Sequence, residues 1–151
     1  MKTKRLPNSF SIPVLGIGTV NIGEVAPLTA GETHRPDFDH DPENIDAIKD
    51  ALKIGYNHID TAELYGQGHT EELVGKAIKD FDRKKLFITT KVSPENLKYD
   101  DIIRSVKNSL KRLGTNYIDL YLIHRPNPNI PIKETMEAMN YLIDNKIIRF
   151  I

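Results

Sequence analysis

The amino-acid sequence predicts an α/β fold in a single domain, 1–151, with βα units stacked on a parallel sheet. Three observations carry this. Short β-rich apolar runs alternate along the chain with longer stretches of helical spacing. The length of 151 residues is close to the commonest size of one domain, and 39% hydrophobic residues suffice for a core. The strands are expected at 14–19, 56–61, 86–92, 118–124 and 147–151.

Ahead of the first strand, residues 4–6 and 10–12 flank Pro7, Asn8 and Ser9, turn formers that predict a small hairpin. After it, residues 24–40 show neither helical nor strand periodicity. Loops longer than about 12–15 residues in a compact domain are usually binding loops, lids or disordered, and this one falls on the strand-end face. The first helix opens at Asp41, read as its cap, with Pro42 in the first helical position; it buries Ile45, Ile48 and Leu52 and stops at Gly55. The second carries Glu71 and Glu72 in its first turn, where carboxylates suit the helix dipole, and aligns Leu73, Val74, Ala77, Ile78 and Phe81. A third, about 100–114, spaces Ile102, Ile103, Val106, Leu110 and Leu113 as a core stripe. A fourth does the same with Ile132, Met136, Met139 and Ile143, its methionines as core, and Asn145 is the expected left-handed terminator.

Composition excludes several function classes. Lys and Arg number 21, as do Asp and Glu, so the formal net charge is zero and no global field draws nucleic acid or an anionic membrane. The absence of cysteine removes disulfides, thiolate nucleophiles, Cys-ligated zinc and iron–sulfur clusters. The basic N-terminus runs into polar residues, and nowhere do eighteen apolar residues follow one another, so the expected location is the cytoplasm.

In parallel βα architectures, chemistry gathers at the C-terminal ends of the strands. Here the second run ends in His58, Ile59, Asp60 and Thr61, the third in Thr89, Thr90 and Lys91, and the fourth in Leu122, Ile123 and His124. Neighbouring strands lie about 4.8 Å apart, which puts Asp60 within reach of Lys91, and Lys91 within reach of a pocket lined by His124. Tyr65 follows five residues after Asp60, and Gly66 and Gly68 let its loop fold back over the sheet. An ammonium beside a phenol favours the phenolate, so such a pair can give a proton to a carbonyl oxygen near neutrality. Asp60 is placed to keep Lys91 charged, and His124 to orient the same oxygen. With no cysteine nucleophile, a nicotinamide hydride is the natural partner for that proton.

The segment Ile59-Asp60-Thr61-Ala62-Glu63-Leu64-Tyr65-Gly66, the strand ending in Lys91 and the stretch Leu113-Gly114-Thr115-Asn116-Tyr117-Ile118-Asp119-Leu120-Tyr121-Leu122-Ile123-His124-Arg125-Pro126 resemble the aldo-keto reductases. So does the opening Pro13-Val14-Leu15-Gly16-Ile17-Gly18-Thr19. The resemblance implies a (β/α)8 TIM barrel with a hairpin at its base, NADPH as hydride donor and a small aldehyde or ketone as substrate. It also implies a tetrad of Asp60, Tyr65, Lys91 and His124, with Tyr65 as general acid. Gly18, Thr19 and Asp60 match positions that approach the nicotinamide ribose. A full barrel typically needs about 250 residues. The expectation is therefore an N-terminal half: hairpin, four βα units and the start of a fifth strand, ending inside the apolar run 147–151. Most of the family's NADPH site, including the groups that hold the pyrophosphate, falls in the other half.

The same residues admit competing readings. Half a barrel exposes two sheet edges, which predicts self-association or a complementing C-terminal half, and leaves a non-catalytic association module as the alternative function. Lys91 could instead form a Schiff base, although an adjacent Asp60 would keep it protonated. His58, on the same strand face as Asp60 one layer deeper, reads as barrel filling. Gly16-Ile17-Gly18 fails as a dinucleotide fingerprint, because Asn21 stands where a third glycine belongs and no helix opens there. His34, Asp37, Asp39, His40 and Asp41 fit no helix or strand face, so no metal site is expected.

Overall fold

Two short strands, β1 (Thr3–Arg5) and β2 (Ser11–Pro13), pair antiparallel with Lys4 opposite Ile12, the register of the expected hairpin. Its turn lies outside residues 2–5, 11–25 and 34–151, which the computed structural model describes. Among the described residues the 24–40 segment is not wholly irregular, since β4 (Glu24–Val25) and β5 (Arg35–Pro36) form a small antiparallel ribbon. Two residues per strand is too short for any periodicity to be read from sequence.

The principal sheet has five parallel strands in chain order: β3 (Ile17–Gly18), β6 (His58–Asp60), β7 (Phe87–Val92), β8 (Ile118–Ile123) and β9 (Ile148–Phe150). Helices α1 (Asp41–Lys53), α2 (His69–Ile78), α3 (Tyr99–Leu113) and α4 (Ile132–Asp144) provide the crossovers, each packed against the next. Parallel strands that follow chain order, each joined to the next by one helix, are the winding of a (β/α)8 barrel. Strand β7 is buried along its length except at Lys91, because helices cover one face and neighbouring inward side chains the other. The core lies between helices and sheet, with Ile59, Ile88, Ile102, Val106, Leu113, Ile118, Met139 and Leu142 all buried. None of the described helices is long and apolar enough to cross a membrane.

Several local expectations are corrected. The cap of α1 is His40; Asp41 is already helical and turns its carboxylate to His69 Nε2 at 2.7 Å. In α4 the stripe is rotated: Thr135, Ala138, Met139 and Leu142 are buried while Ile132 is 60% exposed. The left-handed residue after that helix is Lys146, at φ +58°, not Asn145, whose side chain bonds the Tyr141 carbonyl. At Gly75 a Cβ would lie 2.3 Å from the Arg112 carbonyl oxygen, so the close approach of α2 to α3 requires glycine.

Candidate active site

Strand register brings the predicted residues together. Gly18 pairs with Asp60 and Asp60 with Thr89, while Lys91 pairs with Leu122, so Lys91 stands two residues beyond the level of Asp60 and its long side chain spans the stagger. Lys91 Nζ donates to Asp60 Oδ1 and, at 3.0 Å, to the Thr61 carbonyl. The Asp60 side chain keeps 40% of its surface open, and that of Lys91 only 15%. Tyr65 stands over this pair, with Lys91 Nζ 5.3 Å from its ring centroid. The His124 ring meets it edge to face at 5.6 Å, and the His34 ring lies 5.9 Å away.

His124 follows β8 directly, its N–H donating to the Val92 carbonyl at 3.0 Å. Burial pushes its imidazole below the ordinary histidine range, and the Lys91 ammonium pushes it the same way, so a neutral ring faces Tyr65. Its Nδ1 is enclosed and makes no hydrogen bond among the described residues. One layer below Asp60, His58 sets Nε2 2.9 Å from Thr89 Oγ1 and its ring edge-on to Phe87; burial lowers its pKa as well.

The other two predicted positions behave differently from each other. Gly18 is exposed, with no atom within 4 Å of where a Cβ would stand, so the surface above it is open. Thr19 is wholly enclosed, and its N–H and Oγ1 both donate to the Asp60 carbonyl at 3.0 Å. It fastens the strand end that carries Asp60. In the 24–41 segment His34 turns to Glu24 and Asp41 to His69, and among the described residues no three such side chains converge as metal ligands.

Sequence reasoning missed the side chains that hold the tyrosine loop. Before it, Glu63 Oε1 accepts the Ser93 N–H at 2.7 Å and Asn96 Nδ2 at 3.0 Å. After it, Glu71 is fully buried, accepting Thr90 Oγ1 at 2.6 Å and Arg112 Nε at 2.7 Å. Burial raises its pKa against the pull of Arg112 and these bonds, so it is no solvated helix-dipole carboxylate. The Arg112 guanidinium in turn fills the space a Cβ would need at Gly68, 2.7 Å from Nε. The only hint in the sequence is Gly68 itself, within a loop where glycines were already noted. A groove of about 560 Å³ lies outside the sheet between α2 and α3, lined by Gln67, Lys76 and Arg112 among others. None of Asp60, Tyr65, Lys91 and His124 borders it; these four meet on the strand-end face.

The sequence model of the aldo/keto reductase family matches residues 14–151. The chain belongs to the aldo/keto reductase family. Among solved aldo-keto reductases, the thermostable Tm1743, in complex with the inhibitor epalrestat, superposes with a TM-score of 0.89 at 53% identity, covering 99% of this chain and 52% of its own. An aldo-keto reductase from Klebsiella pneumoniae in complex with NADPH gives 0.82 at 34% identity, over 99% of this chain and 48% of that one. Methylglyoxal reductase DkgB of Escherichia coli O157:H7 is 38% identical over 134 residues, 86% of this chain and 43% of that protein. The chain thus spans about half the length of these aldo-keto reductases, and the parallel winding of its sheet is that half of their barrel.

Proposed function

We propose that this chain carries the proton-donating wall of an NADPH-dependent carbonyl reductase site, which reduces a small aldehyde or ketone to an alcohol with Tyr65 as general acid. The observation that carries this reading is the convergence of the Tyr65 ring, the Lys91 ammonium paired to Asp60, and the His124 ring on one open face. NADPH fits the residues present: the surface over Gly18 is clear, and beside it Asp60 keeps a partly exposed carboxylate able to accept from a ribose hydroxyl. Thr19 acts on that group indirectly, through the Asp60 backbone. When bound, NADPH supplies the hydride.

The chain's own residues then manage the proton. Tyr65 Oη gives its proton to the substrate oxygen as charge develops there. The Lys91 ammonium stabilises the negative charge left on the phenolic oxygen, and Asp60 keeps that ammonium in place. An uncharged His124 offers a ring N–H to the carbonyl oxygen without competing for the proton. Methylglyoxal, the substrate in DkgB's name, is a reasonable first carbonyl to try.

Tyr65→Phe, in a barrel completed by the C-terminal half of an aldo-keto reductase, tests the reading. NADPH oxidation with methylglyoxal is expected to fall by about 10²–10⁴-fold, while NADPH binding, followed by fluorescence, stays near the original. Undiminished turnover would overturn the assignment of the acid.

A second reading is favoured by the sheet itself. Among the described residues β3 and β9 each have one strand neighbour in the principal sheet, so it has two open edges. On this reading the chain is an association module that pairs with a complementing C-terminal half or a second copy. Light scattering of the chain alone and mixed with the C-terminal half of an aldo-keto reductase separates the cases: a persistent monomer in both speaks against it.

A further inference from the structure

We propose that Glu24, clasped by His34, is the positioning residue that fixes Tyr65 for proton transfer. The inference rests on the reading of Tyr65 as the acid and adds the device that holds it. Glu24 opens the ribbon strand β4, and its side chain is fully buried. It nevertheless takes three donors from its immediate surroundings. Oε2 takes the Gly66 N–H at 2.8 Å and His34 Nδ1 at 2.6 Å, while Oε1 takes the Asn21 N–H at 3.1 Å. No lysine or arginine of the described residues pairs with it; His34 is its one basic partner.

The peptide it grips is the one directly after Tyr65. Gly66, Gln67 and Gly68 have φ of +53°, +54° and +97°, three successive left-handed residues of which one is not glycine. Backbone of this kind persists where its surroundings over-determine it. Arg112 blocks the far end at Gly68, and Glu24 ties the near end at Gly66. The clasp is reciprocal, because Gln67 Nε2 donates to the His34 carbonyl at 3.0 Å while the His34 ring lies against Tyr65. Asp37 N–H on the Gly23 carbonyl, at 3.1 Å, holds the opposite strand of the ribbon. An apolar residue at position 24 would strand the Gly66 and Asn21 N–H groups, and a neutral amide would accept fewer of the three donors. The carboxylate is therefore matched to the loop and its tyrosine.

The experiment uses the chain itself, labelled with ¹⁵N and with ¹³C in the tyrosine rings, Tyr65 being assigned by its loss in Tyr65→Phe. In Glu24→Gln the Gly66 amide is expected to exchange about tenfold faster and the Tyr65 ring signals to move, while the Ile88 amide in the sheet stays within about twofold of the original. His34→Phe keeps Glu24 and an aromatic ring beside Tyr65, so it retains the fold if Glu24→Gln does not; there Gly66 exchange rises about threefold. Unchanged Gly66 exchange and unchanged ring signals overturn the proposal. So does equal acceleration at Ile88, which would make Glu24 a general stabiliser. In a barrel completed by the C-terminal half of an aldo-keto reductase, with methylglyoxal and NADPH, Glu24→Gln is expected to lower kcat about tenfold with NADPH affinity unaltered. A Tyr65→Phe chain that loses turnover beside a Glu24→Gln chain that keeps it sinks this inference alone, whereas a fully active Tyr65→Phe chain sinks the reading beneath it.

Discussion

Asp60 and Asp119 stand at opposite ends of the same parallel sheet, and each meets a basic side chain, yet the two are built differently. Asp119, near the start of β8, is 1% exposed and held by three donors: Oδ2 accepts an Arg83 N–H at 2.7 Å and the Ile88 N–H at 2.9 Å, and Oδ1 accepts from Arg149 at 2.9 Å. Arg83 is itself pinned, to Thr115, the Leu86 and Tyr117 carbonyls and the face of Tyr117. Asp60 meets one ammonium and keeps 40% of its side chain open. A buried carboxylate held by three donors from separate parts of the chain is a fastener between strands. One with acceptor capacity to spare, beside a cation and a phenol, is available to a ligand.

Breaking the lower end carries the largest expected effect. Asp119→Ala leaves two guanidinium groups without their carboxylate and the Ile88 N–H without an acceptor, which costs about 3–5 kcal/mol in unfolding free energy, read by urea denaturation. A loss below about 1 kcal/mol would mean that solvent replaces the carboxylate and that Asp119 is no fastener.

The upper end responds in the other currency. Asp60→Asn is expected to change stability by no more than about 1 kcal/mol, since the pair is partly solvated. Turnover with NADPH and methylglyoxal falls about 10²-fold, because Lys91 loses the partner that holds it under Tyr65. If Asp60→Asn destabilises as much as Asp119→Ala, the contrast between the two ends collapses.

These ends differ also in how far the sequence disclosed them. The strands could be read from apolar runs, and Asp60, Lys91 and His124 from their place at the ends of those runs, because parallel βα winding gathers the strand ends on one side of the fold. Tyr65 was readable from its glycine-flanked loop. Glu24, Glu71, Asp119 and Arg112 were not, since a charged residue in a sequence is ordinarily a solvated one. What makes each of them structural is a partner between 31 and 42 positions away, such as Gly66 for Glu24 or Ile88 for Asp119. The rotated stripe of α4 was misread for a related reason: Thr135 is buried because its hydroxyl reaches the Leu97 carbonyl at 2.8 Å, a bond no periodicity announces.

The smallest expected effect is the response to pH, and it too separates the ends. At the lower end the groups that bond Asp119 among the described residues are two guanidiniums and a backbone N–H, with no histidine among them. At the upper end burial depresses His124, and His58 beneath it. The unfolded chain, with histidines near the ordinary value of about 6.5, then binds protons that the folded chain refuses. Their contribution to stability is present above that value and is lost as pH falls through it toward the depressed folded values. Glu71 has the opposite slope: raised by burial, it favours the folded state at low pH and loses that contribution as pH rises through its folded value. The difference between the original chain and His124→Gln cancels Glu71 and isolates the histidine. That difference, measured as unfolding free energy between pH 7.5 and 5.5, is expected to shrink the advantage of the original chain by about 0.5 kcal/mol or less on acidification, given solvent screening of a half-buried ring. A difference that grows as pH falls would mean that His124 is protonated and paired in the folded chain, and an imidazolium would then face Tyr65 in place of the neutral donor.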